Sequence, residues 1–460
     1  MTLIKSIAGI RGTIGGAPGE TLSPIDVVKY AAAFGEIMKT LHPRPKVVIG
    51  RDARVSGPMI ASLLSHTLCA QGINVIDLGL STTPTVEMAV TAENAQGGVI
   101  ITASHNPSGW NALKLLNEKG EFISAAIGEQ ILQIADSSKY TFIEQKKMGK
   151  ITFDDTHIDA HIEKILALDL VDVDGIKARK FNVIVDAINS TGGIAVPRLL
   201  SKLGVTVTEL HCEPNGLFAH NPEPLPENIT HICQEIEGGR FDLGIVVDPD
   251  VDRLALVSED GVPFGEEYTL VAVSDYVLSK RKGNTVSNLS STKALRDVTE
   301  KRGGSYHAAA VGEVNVVEKM KEVNAVIGGE GNGGIILPEL HYGRDALVGI
   351  ALFLSHLAQY GRQASMLRAT YPNYFISKNK IELTPDIDID NILDLLKNKY
   401  IKNPINTIDG LKIEFGQDWA HLRKSNTEPI IRIFAESENQ VTADHLANKI
   451  ILDIKEIISS

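Results

Sequence analysis

Residues 46–78, KVVIGRDARVSGPMIASLLSHTLCAQGINVIDL, predict a strand, a helix and a second strand in succession. The apolar run 46–50 is typical of a buried strand. Residues 56–71 carry apolar side chains at helical spacing, and Gly72 ends that pattern. The stretch 73–78 then predicts the second strand. This β-helix-β unit decides the fold class, because the chain repeats it.

The same pattern returns twice along the chain. Its second copy covers 181–211, with a helical pattern followed by Gly204 before the second strand. Its third copy covers 284–311, and Gly303-Gly304 break its helix. Three β-helix-β units predict three similar α/β domains with mixed sheets.

The length of 460 residues also indicates several domains rather than one. After Tyr371-Pro372-Asn373, a predicted linker, the pattern is strand, helix, two strands and helix, which predicts a C-terminal α+β domain. We therefore place domains I to IV at 1–150, 151–258, 259–371 and 372–460.

Composition excludes several classes of partner. A net charge of −12 argues against nucleic acid or an anionic membrane surface. No stretch approaches the roughly 20 apolar residues of a membrane-spanning helix, and the first residues do not form a signal-peptide pattern. The three cysteines, Cys69, Cys212 and Cys233, are far apart, which argues against a disulfide framework or a zinc site. We therefore expect a cytoplasmic protein that binds no nucleic acid and no membrane.

Each β-helix-β unit is followed by another apolar strand that ends in an unusual loop. These segments are GGVIITASHNPSG at 97–109, FDLGIVVDPDVDR at 241–253 and NAVIGGEGNGG at 324–334. Ligands of α/β sheets bind outside the carboxyl ends of the strands. We therefore expect the three loops to face one shared cleft.

The second loop places Asp248, Asp250 and Asp252 at every second position. On a turn, three carboxylates at this spacing can converge on one cation, and oxygen ligands favour Mg²⁺ or Ca²⁺. The loop lacks the glycine and distal glutamate of a twelve-residue calcium loop. The alternative is a solvated acidic turn, but an apolar strand leads directly into these aspartates and Arg253 follows them.

Two further loops carry polar groups. In 328–334, glycines allow close approach of the backbone to a ligand, and Glu330 and Asn332 offer partners for sugar hydroxyls. In 423–428, RKSNTE, the cations, hydroxyls and amides are phosphate ligands, which Arg432 could join. A flexible loop and an ordinary polar hairpin are the respective alternatives.

Ser104, in the first loop, has no activating partner of the serine-hydrolase kind. There is no GxSxG elbow, and His105 is the next residue, so mutual hydrogen bonding would be awkward. Ser104 either caps a helix or turn, or carries a phosphoryl group whose oxygens join the cation. Lys114 is then the positive partner and proton shuttle, provided that its neighbours lower its pKa. By itself, Arg11 in GIRGT reads as a surface arginine.

Five motifs stand in one order along the chain: GIRGT, TASHNPSGWNALK, DPDVDR, GEGNGG and RKSNTEPIIR. Together they resemble the α-D-phosphohexomutase family, which includes phosphoglucomutases, phosphomannomutases and phosphoglucosamine mutases. The resemblance covers the whole chain and implies four domains around a central active-site cleft.

The resemblance also implies a role for each motif. Ser104 matches the phosphoserine, and the three aspartates match the magnesium ligands. Arg11, His105 and Lys114 match groups beside the transferred phosphoryl group, with Lys114 as a candidate general base. The residues that match the family's substrate-binding positions are Arg253, Glu330, Asn332, Arg423, Ser425, Asn426, Thr427 and Arg432.

The implied enzyme is an isomerase that uses one Mg²⁺. It moves a phosphoryl group between a hexose 6-phosphate and the 1-phosphate through phospho-Ser104 and a 1,6-bisphosphate, which also serves as activator. The sugar loop has Asn332 and Gly334 where many bacterial members have serine and histidine. The GGExNGG and RxSNTEP forms resemble archaeal-type members, which favours glucosamine phosphate. Glucose and mannose phosphates are the alternatives.

More distant alternatives are a magnesium-dependent sugar phosphatase and a non-catalytic sugar-phosphate sensor. The presence of loops for both ends of a substrate argues against the phosphatase. The presence of Ser104, Lys114 and all three aspartates argues against the sensor. We expect small hexose phosphates as partners and a monomer or homodimer.

Overall fold

The computed structural model describes residues 2–6, 9–382, 387–424 and 430–459. The chain forms two compact units, one of Met1–Tyr276 with Asn332–Leu367 and one of Val277–Gly331 with Arg368–Ser460. Among the described residues, no helix is both long enough and apolar enough to cross a membrane.

A mixed sheet of seven strands begins the first unit. Its strands are β1 (Ile4–Ser6), β2 (Gly9–Thr13), β3 (Lys46–Arg51), β4 (Asn74–Leu80), β5 (Gly97–Ile101), β6 (Trp110–Leu116) and β7 (Ile151–Phe153), and they lie in the order β1-β2-β6-β5-β3-β4-β7. Strand β3 is parallel to both β4 and β5, whereas β6 is antiparallel to β5 and β2.

Four helices accompany this sheet, namely α1 (Pro24–Leu41), α2 (Gly57–Ala70), α3 (Thr83–Ala92) and α4 (Ala125–Ser137). Helix α1 begins with a capping box, in which Ser23 and Asp26 satisfy each other's backbone N–H groups. Its apolar face packs into a core with α2 and the sheet, and Tyr30 and Phe34 are buried there. The sheet and its helices therefore provide a rigid base for the loops that follow β5 and β6.

A second sheet in the same unit repeats this arrangement. Its elements are α5 (His157–Leu166), α6 (Val173–Arg179), β8 (Asn182–Asp186), α7 (Gly192–Lys202), β9 (Thr206–Leu210), α8 (Thr230–Glu237), β10 (Leu243–Val247) and β11 (Leu254–Ser258). Strand β8 lies parallel between β9 and β10, and β11 is antiparallel to β10. The five residues of β10 are all buried, so the loop that follows this strand begins in the core of the unit.

The central part of the chain contributes to both units. Its elements are α9 (Glu266–Lys280), β12 (Asn284–Asn288), α10 (Ala294–Lys301), β13 (Tyr306–Ala309), α11 (Glu313–Glu322), β14 (Ala325–Glu330), β15 (Gly334–Ile336), α12 (Ala346–Tyr360) and α13 (Ala364–Arg368). In the second unit, β12 lies parallel between β13 and β14. In the first unit, α12 is buried from Ala346 to Leu357 and packs against α5, α6 and α7.

The C-terminal elements belong to the second unit. They are β16 (Phe375–Glu382), α14 (Ile389–Lys399), β17 (Ile405–Asn406), β18 (Leu411–Phe415), β19 (Asp418–Lys424), β20 (Ile430–Ser437) and α15 (Gln440–Ser459). The strands form an antiparallel sheet in the order β16-β20-β19-β18-β17. Apolar side chains of α14 and α15 pack on this sheet and form its core.

The predicted fold class is confirmed, because the sequence repeat corresponds to a structural one. In each repeat the first strand, β3, β8 or β12, lies between two parallel partners. The mixed sheets and the C-terminal α+β part are also present.

Two details of the prediction are wrong. The C-terminal part has β17 and β18 in addition to the two predicted strands beside the RKSNTE segment, because Gly416 at φ +72° allows a tight turn from β18 into β19. The predicted glycine loop is also shorter than 328–334. Gly328 belongs to β14, where a Cβ atom would lie 2.6 Å from Met320 Sδ, so this glycine serves packing against α11.

Candidate active site

The loop after β5 holds Ser104 in a constrained conformation. Ser104 has φ +47° and is buried, and its backbone N–H donates to Thr102 Oγ1 at 2.9 Å. The Thr102 hydroxyl in turn donates to Asp52 Oδ2 at 2.7 Å. A left-handed conformation at a non-glycine residue costs free energy, so the surrounding contacts must impose it.

Arg54 supplies most of those contacts. Its side chain is fully buried, and Nε donates to Asp52 Oδ2 at 3.0 Å. Its remaining nitrogens donate to four backbone carbonyl oxygens of the loop, those of Ser104, Asn106, Pro107 and Trp110, at 2.6–3.0 Å. The planar guanidinium thus donates to the carbonyl oxygens of a backbone turn that has few internal hydrogen bonds of its own.

The aspartate loop after β10 reaches the serine directly. Ser104 Oγ donates to Asp248 Oδ2 at 2.7 Å. The other oxygen of Asp248 accepts the backbone N–H groups of Asp252 and Arg253, both at 3.1 Å. The first and second loops therefore meet within the first unit, and Asp248 is the point of contact.

The three aspartates form one buried group. Asp248, Asp250 and Asp252 are fully buried, and one oxygen of each lies within 4.8 Å of the others. Burial, together with the neighbouring carboxylates, raises the pKa of Asp248 well above its usual range. Asp250 is also buried, but the pKa of its carboxyl is held below its usual range by Lys114 and a hydrogen bond from Thr83.

Cationic and hydroxyl groups surround the three carboxylates. Asp250 Oδ2 accepts from Thr83 Oγ1 at 2.5 Å and from Lys114 Nζ at 2.7 Å. Asp252 Oδ2 accepts from Arg344 Nη2 at 2.7 Å and from Lys114 Nζ at 3.3 Å. The Oδ1 atoms of Asp250 and Asp252 are buried and have no hydrogen-bond partner among the described residues.

These residues fit a divalent cation. Buried carboxylate oxygens without partners are costly, and a bound cation would satisfy them. Three carboxylates of one loop, with Ser104 Oγ beside Asp248, form a set of oxygen ligands of the kind that Mg²⁺ prefers. The acidic triad, Asp248, Asp250 and Asp252, could therefore hold a metal ion.

The predicted charged neighbours of Ser104 have distinct environments. Burial lowers the pKa of Lys114, but Asp250 and Asp252 outweigh burial and raise it above its usual value. The expectation from the sequence that these neighbours lower the pKa of Lys114 is therefore wrong. Lys114 is an ammonium donor in this arrangement. Burial and the nearby Arg253 lower the pKa of His105 to about 2, so its imidazole is neutral, with Nδ1 3.4 Å from Ser104 Oγ.

Arg11 and Arg253 are both largely withdrawn from solvent. Arg11 pairs with Ala112 across β2 and β6, so it shares a sheet face with Lys114, two residues further along β6. Within the described part of the chain its buried Nε has no hydrogen-bond partner, and burial lowers the pKa of its guanidinium. Arg253 Nη1 donates to Glu223 Oε1 at 3.2 Å. The expectation of a surface Arg11 from its motif alone is therefore wrong.

The end of the third loop contacts the second loop within the first unit. Gly333 has φ +84°, and its carbonyl oxygen accepts the N–H of Leu254 at 3.0 Å. Asn332 Oδ1 accepts the N–H of Gly334 at 3.2 Å. A Cβ atom on Gly334 would lie 2.4 Å from Arg344 Cδ, so the absence of a side chain makes room for Arg344.

Glu330 lies in the second unit and is buried there. Its Oε1 accepts from Asn288 Nδ2 at 2.9 Å and from the N–H of Gly312 at 3.2 Å. The carboxylate is thus held at the carboxyl end of β14 by the last residue of β12 and by a residue that follows β13.

Three cations lie side by side on one face of the C-terminal sheet. Arg432 on β20 faces Arg423 on β19 and Lys380 on β16 as direct cross-strand partners. Asp409 Oδ2 pairs with Arg423 Nε at 2.7 Å, and Glu382 pairs with Lys380 at 3.0 Å. Like charges directly opposite each other repel, so this row favours an anion. The predicted phosphate ligands Ser425, Asn426 and Thr427 lie outside the described residues.

Four family models match consecutive parts of the chain. They are the α/β/α domains I, II and III and the C-terminal domain of phosphoglucomutase/phosphomannomutase, and they match residues 4–141, 159–261, 265–374 and 380–452. A phosphoglucomutase/phosphomannomutase of Thermococcus kodakarensis is 34% identical over 94% of this chain and 95% of its own.

The chain belongs to the phosphoglucomutase/phosphomannomutase family. A phosphoglucosamine/phosphogalactosamine mutase of Sulfurisphaera tokodaii is 30% identical over 96% of this chain and 97% of its own. A crystal structure of a family protein from Burkholderia thailandensis has a TM-score of 0.86 at 25% identity and covers 99% of this chain and 98% of its own. This chain is accordingly a phosphohexomutase, an isomerase that carries out phosphoryl transfer.

Several residues that hold this phosphohexomutase site together were not predicted from the sequence. Arg54 and Arg344 follow no motif that spacing could reveal, since each acts on residues far away in the chain. Asp345 N-caps α12 and also accepts from His161 Nε2 at 2.9 Å. An aspartate directly before an apolar helical pattern is a sequence signal for a helix N-cap, and this signal could have predicted the role of Asp345. Asp345 thereby fixes the segment that carries Arg344.

We expect Arg54→Lys to destabilise the first unit by about 1–3 kcal/mol for each loop carbonyl that loses its donor. Lysine keeps the charge but lacks the planar fork, so it cannot reach all four carbonyls. Chemical denaturation measures the effect. The matched control is Arg198→Lys, an exposed arginine paired with Asp159 at 3.3 Å, which we expect to change stability by less than about 0.5 kcal/mol. Equal effects of the two substitutions would contradict the scaffold role of Arg54.

We expect Gly334→Ala to destabilise the protein by about 1–3 kcal/mol, because the added methyl group displaces the Arg344 side chain that pairs with Asp252. Gly109→Ala is the control, since no atom lies within 4 Å of the position of its Cβ. The double variant with Arg344→Ala tests the cause. The Gly334→Ala penalty should shrink when Arg344 is already shortened, and strictly additive effects on the free energy of unfolding would count against the clash.

Proposed function

We propose that this phosphohexomutase interconverts glucosamine 6-phosphate and glucosamine 1-phosphate, with Ser104 as the phosphoryl carrier. The observation that carries this proposal is the 2.7 Å contact of Ser104 Oγ with Asp248, beside the acidic triad. The Sulfurisphaera relative, named for phosphoglucosamine and phosphogalactosamine, favours an amino sugar. Glucose and mannose phosphates are the alternative, favoured by the name of the Thermococcus relative.

We propose Mg²⁺ as the cation of the acidic triad, held by Asp248, Asp250, Asp252 and an oxygen on Ser104. When bound, Mg²⁺ would supply positive charge to the phosphoryl oxygens during transfer. It would also take up the negative charge of carboxylates that otherwise repel one another. The unpartnered Oδ1 atoms of Asp250 and Asp252 support this assignment.

The proposed reaction consists of two phosphoryl transfers. In the first, the free hydroxyl of the hexose monophosphate attacks the phosphorus of phospho-Ser104. A new P–O bond to the sugar forms, the P–Oγ bond breaks, and a 1,6-bisphosphate results. In the second, Ser104 Oγ attacks the phosphorus of the other phosphate of the bisphosphate. A new P–Oγ bond forms, the bond from that phosphorus to the sugar oxygen breaks, and the sugar oxygen takes up the proton that Ser104 Oγ gives up. The isomeric monophosphate results, and phosphoserine is restored. A catalytic amount of hexose 1,6-bisphosphate would phosphorylate any Ser104 that has lost its phosphate.

The side chains around Ser104 have roles that their environments support. Arg11, with a buried Nε that lacks a partner, would donate to the phosphoryl oxygens. Lys114 would accept the proton of the attacking hydroxyl only if Asp250 and Asp252 are engaged by a cation, because these carboxylates raise its pKa. His105 is neutral and could accept a hydrogen bond near Ser104 Oγ.

The remaining proposed ligands serve recognition of the sugar phosphate. Glu330 and Asn332 would bind sugar hydroxyls, and Arg253 would bind substrate close to the aspartates. Arg423 and Arg432, together with Ser425, Asn426 and Thr427, would bind the phosphate that is not being transferred. The row of cations on the C-terminal sheet supports that assignment and adds Lys380 to it.

We also propose a cytoplasmic enzyme, present as a monomer or homodimer, whose partners are small hexose phosphates. Domain boundaries at 150/151, 258/259 and 371/372 complete the proposal. Limited proteolysis near these junctions would test the boundaries, since exposed linkers are cleaved first.

We expect Ser104→Ala to abolish mutase turnover while the protein stays folded, because alanine lacks the hydroxyl that is proposed to carry the phosphoryl group. Phosphorus NMR with Mg²⁺ and a trace of hexose 1,6-bisphosphate would follow the 1-phosphates of glucosamine, glucose and mannose separately. The wild-type protein should convert glucosamine 1-phosphate fastest. Thermal unfolding of the variant would verify the fold.

The matched control is Ser108→Ala, which removes an exposed hydroxyl from the same loop and should leave turnover unchanged. Normal turnover by Ser104→Ala would refute the carrier role. Faster conversion of glucose or mannose 1-phosphate would replace the proposed sugar but keep the mechanism. Release of inorganic phosphate without isomerisation would indicate a phosphatase.

We expect Arg423→Ala to raise the KM for both the 1-phosphate and the 6-phosphate by about tenfold or more, equivalent to the roughly 1.5–3 kcal/mol of a charged hydrogen bond. Lys424→Ala is the control. Lys424 is adjacent in sequence but points to the opposite sheet face, where it pairs with Asp390 at 3.0 Å. An unchanged KM in Arg423→Ala, or an equal change in both variants, would contradict the phosphate-binding role.

A further inference from the structure

A second cluster of ligand-type side chains lies at the carboxyl end of β8. We define the Asp186 cluster as Asp186, His211 and His220, in which one carboxylate oxygen and two imidazole nitrogens all lie within 4.8 Å of one another. His211 Nδ1 and His220 Nε2 each lie 3.0 Å from the same atom, Asp186 Oδ2. None of the three residues is needed for the proposed phosphoryl transfer.

The geometry points to a second cation site in the Asp186 cluster, one that takes a borderline divalent transition metal such as Zn²⁺. Two imidazoles and one carboxylate are a ligand set that suits Zn²⁺ and its neighbours, whereas Mg²⁺ and Ca²⁺ prefer oxygen ligands. Cysteine spacing argued against a zinc site, but this set contains no cysteine.

The other atoms of these side chains are held in the way that metal ligands usually are. His220 Nδ1 donates to the carbonyl oxygen of Asn221 at 2.8 Å, which leaves Nε2 as the atom directed at the cluster. Asp186 Oδ1 accepts the N–H of Ile188 at 3.0 Å, which leaves Oδ2 for the cluster. Such outer hydrogen bonds fix the tautomer of a ligating histidine and the orientation of a ligating carboxylate.

The number of protons that the His220 ring needs to satisfy its contacts also favours a bound cation. Both nitrogens of His220 face oxygen acceptors, those of Asn221 and Asp186, so the ring satisfies both contacts only when it is doubly protonated. A metal ion can take the place of the proton on Nε2, and the Nδ1–H contact with Asn221 is then retained. The carboxylate of Asp186 is fully buried and gains a second positive partner in the same step.

The cluster is open enough for a metal ion to enter. The side chains of His211 and His220 are 20% and 17% exposed, whereas Asp186 is fully buried. The ring of His231 stacks on His211 with centroids 5.1 Å apart and is half exposed. Three protein ligands leave a coordination position that water can fill.

The site is separate from the acidic triad but lies beside it. Asp186 pairs with Val246, which precedes Asp248 by two residues on the neighbouring strand. Ser190 and Thr191, just beyond the cluster, donate to the carbonyl oxygen of Pro249 at 2.7 and 2.9 Å. A cation in the Asp186 cluster would therefore stabilise the segment on which the aspartate loop rests.

The test is calorimetric titration of the full chain with Zn²⁺ in the presence of excess Mg²⁺. We expect the wild-type protein to bind one Zn²⁺ and His220→Ala to bind it at least about tenfold more weakly. His66→Ala is the matched control. His66 also contacts a backbone carbonyl through Nδ1, at 2.8 Å from Ser62, but lies on the exposed face of α2, outside the cluster. This variant should bind Zn²⁺ like the wild type.

Two further measurements separate a metal site from a structural ion pair and from the acidic triad. Zn²⁺ should raise the melting temperature of the wild-type protein but not that of His220→Ala or His211→Gln. Asp250→Asn should retain the histidine-dependent Zn²⁺. The proposal is overturned if the wild type binds no Zn²⁺ or if His220→Ala binds it with unchanged affinity. It is also overturned if Asp250→Asn abolishes Zn²⁺ binding while the histidine variants retain it.

Discussion

The burial of three carboxylates within 4.8 Å of one another is the constraint on which the site depends. Buried carboxylates this close to one another would repel strongly, and the surrounding residues offset that repulsion. Lys114 comes from the first sheet, Thr83 from the start of α3, and Arg344 from the segment before α12. The aspartate loop is thus stabilised by elements from distant parts of the chain.

The same loop connects Ser104 to the rest of the first unit. Asp248 uses one oxygen for Ser104 and the other for two backbone N–H groups of its own loop. Arg54 holds the serine loop from the opposite side by binding its carbonyl oxygens. Both loops are therefore fixed before substrate arrives, and a preorganised site of this kind lowers the cost of reorganisation during phosphoryl transfer.

The second unit presents different chemistry. Its C-terminal sheet places Arg423, Arg432 and Lys380 side by side, and Asp409 and Glu382 pair with two of these three cations. Glu330 is held by a backbone and a side-chain donor of the same unit. The acidic residues of the first unit suit a cation, and the row of basic residues in the second unit suits an anion.

The sequence by itself determined the repeat, the fold class, the aspartate loop and the family, because these depend on local periodicity and on residues that are close together in the chain. Tertiary structure alone decided which distant residues serve the site. Arg54, Arg344 and Thr83 contact their partners across sequence separations that no spacing rule covers. It also reversed the expected shift of the Lys114 pKa, since that shift depends on the two carboxylates that folding brings to the ammonium group. The need for glycine at position 334 is likewise explained only by the folded chain, which places Arg344 against it.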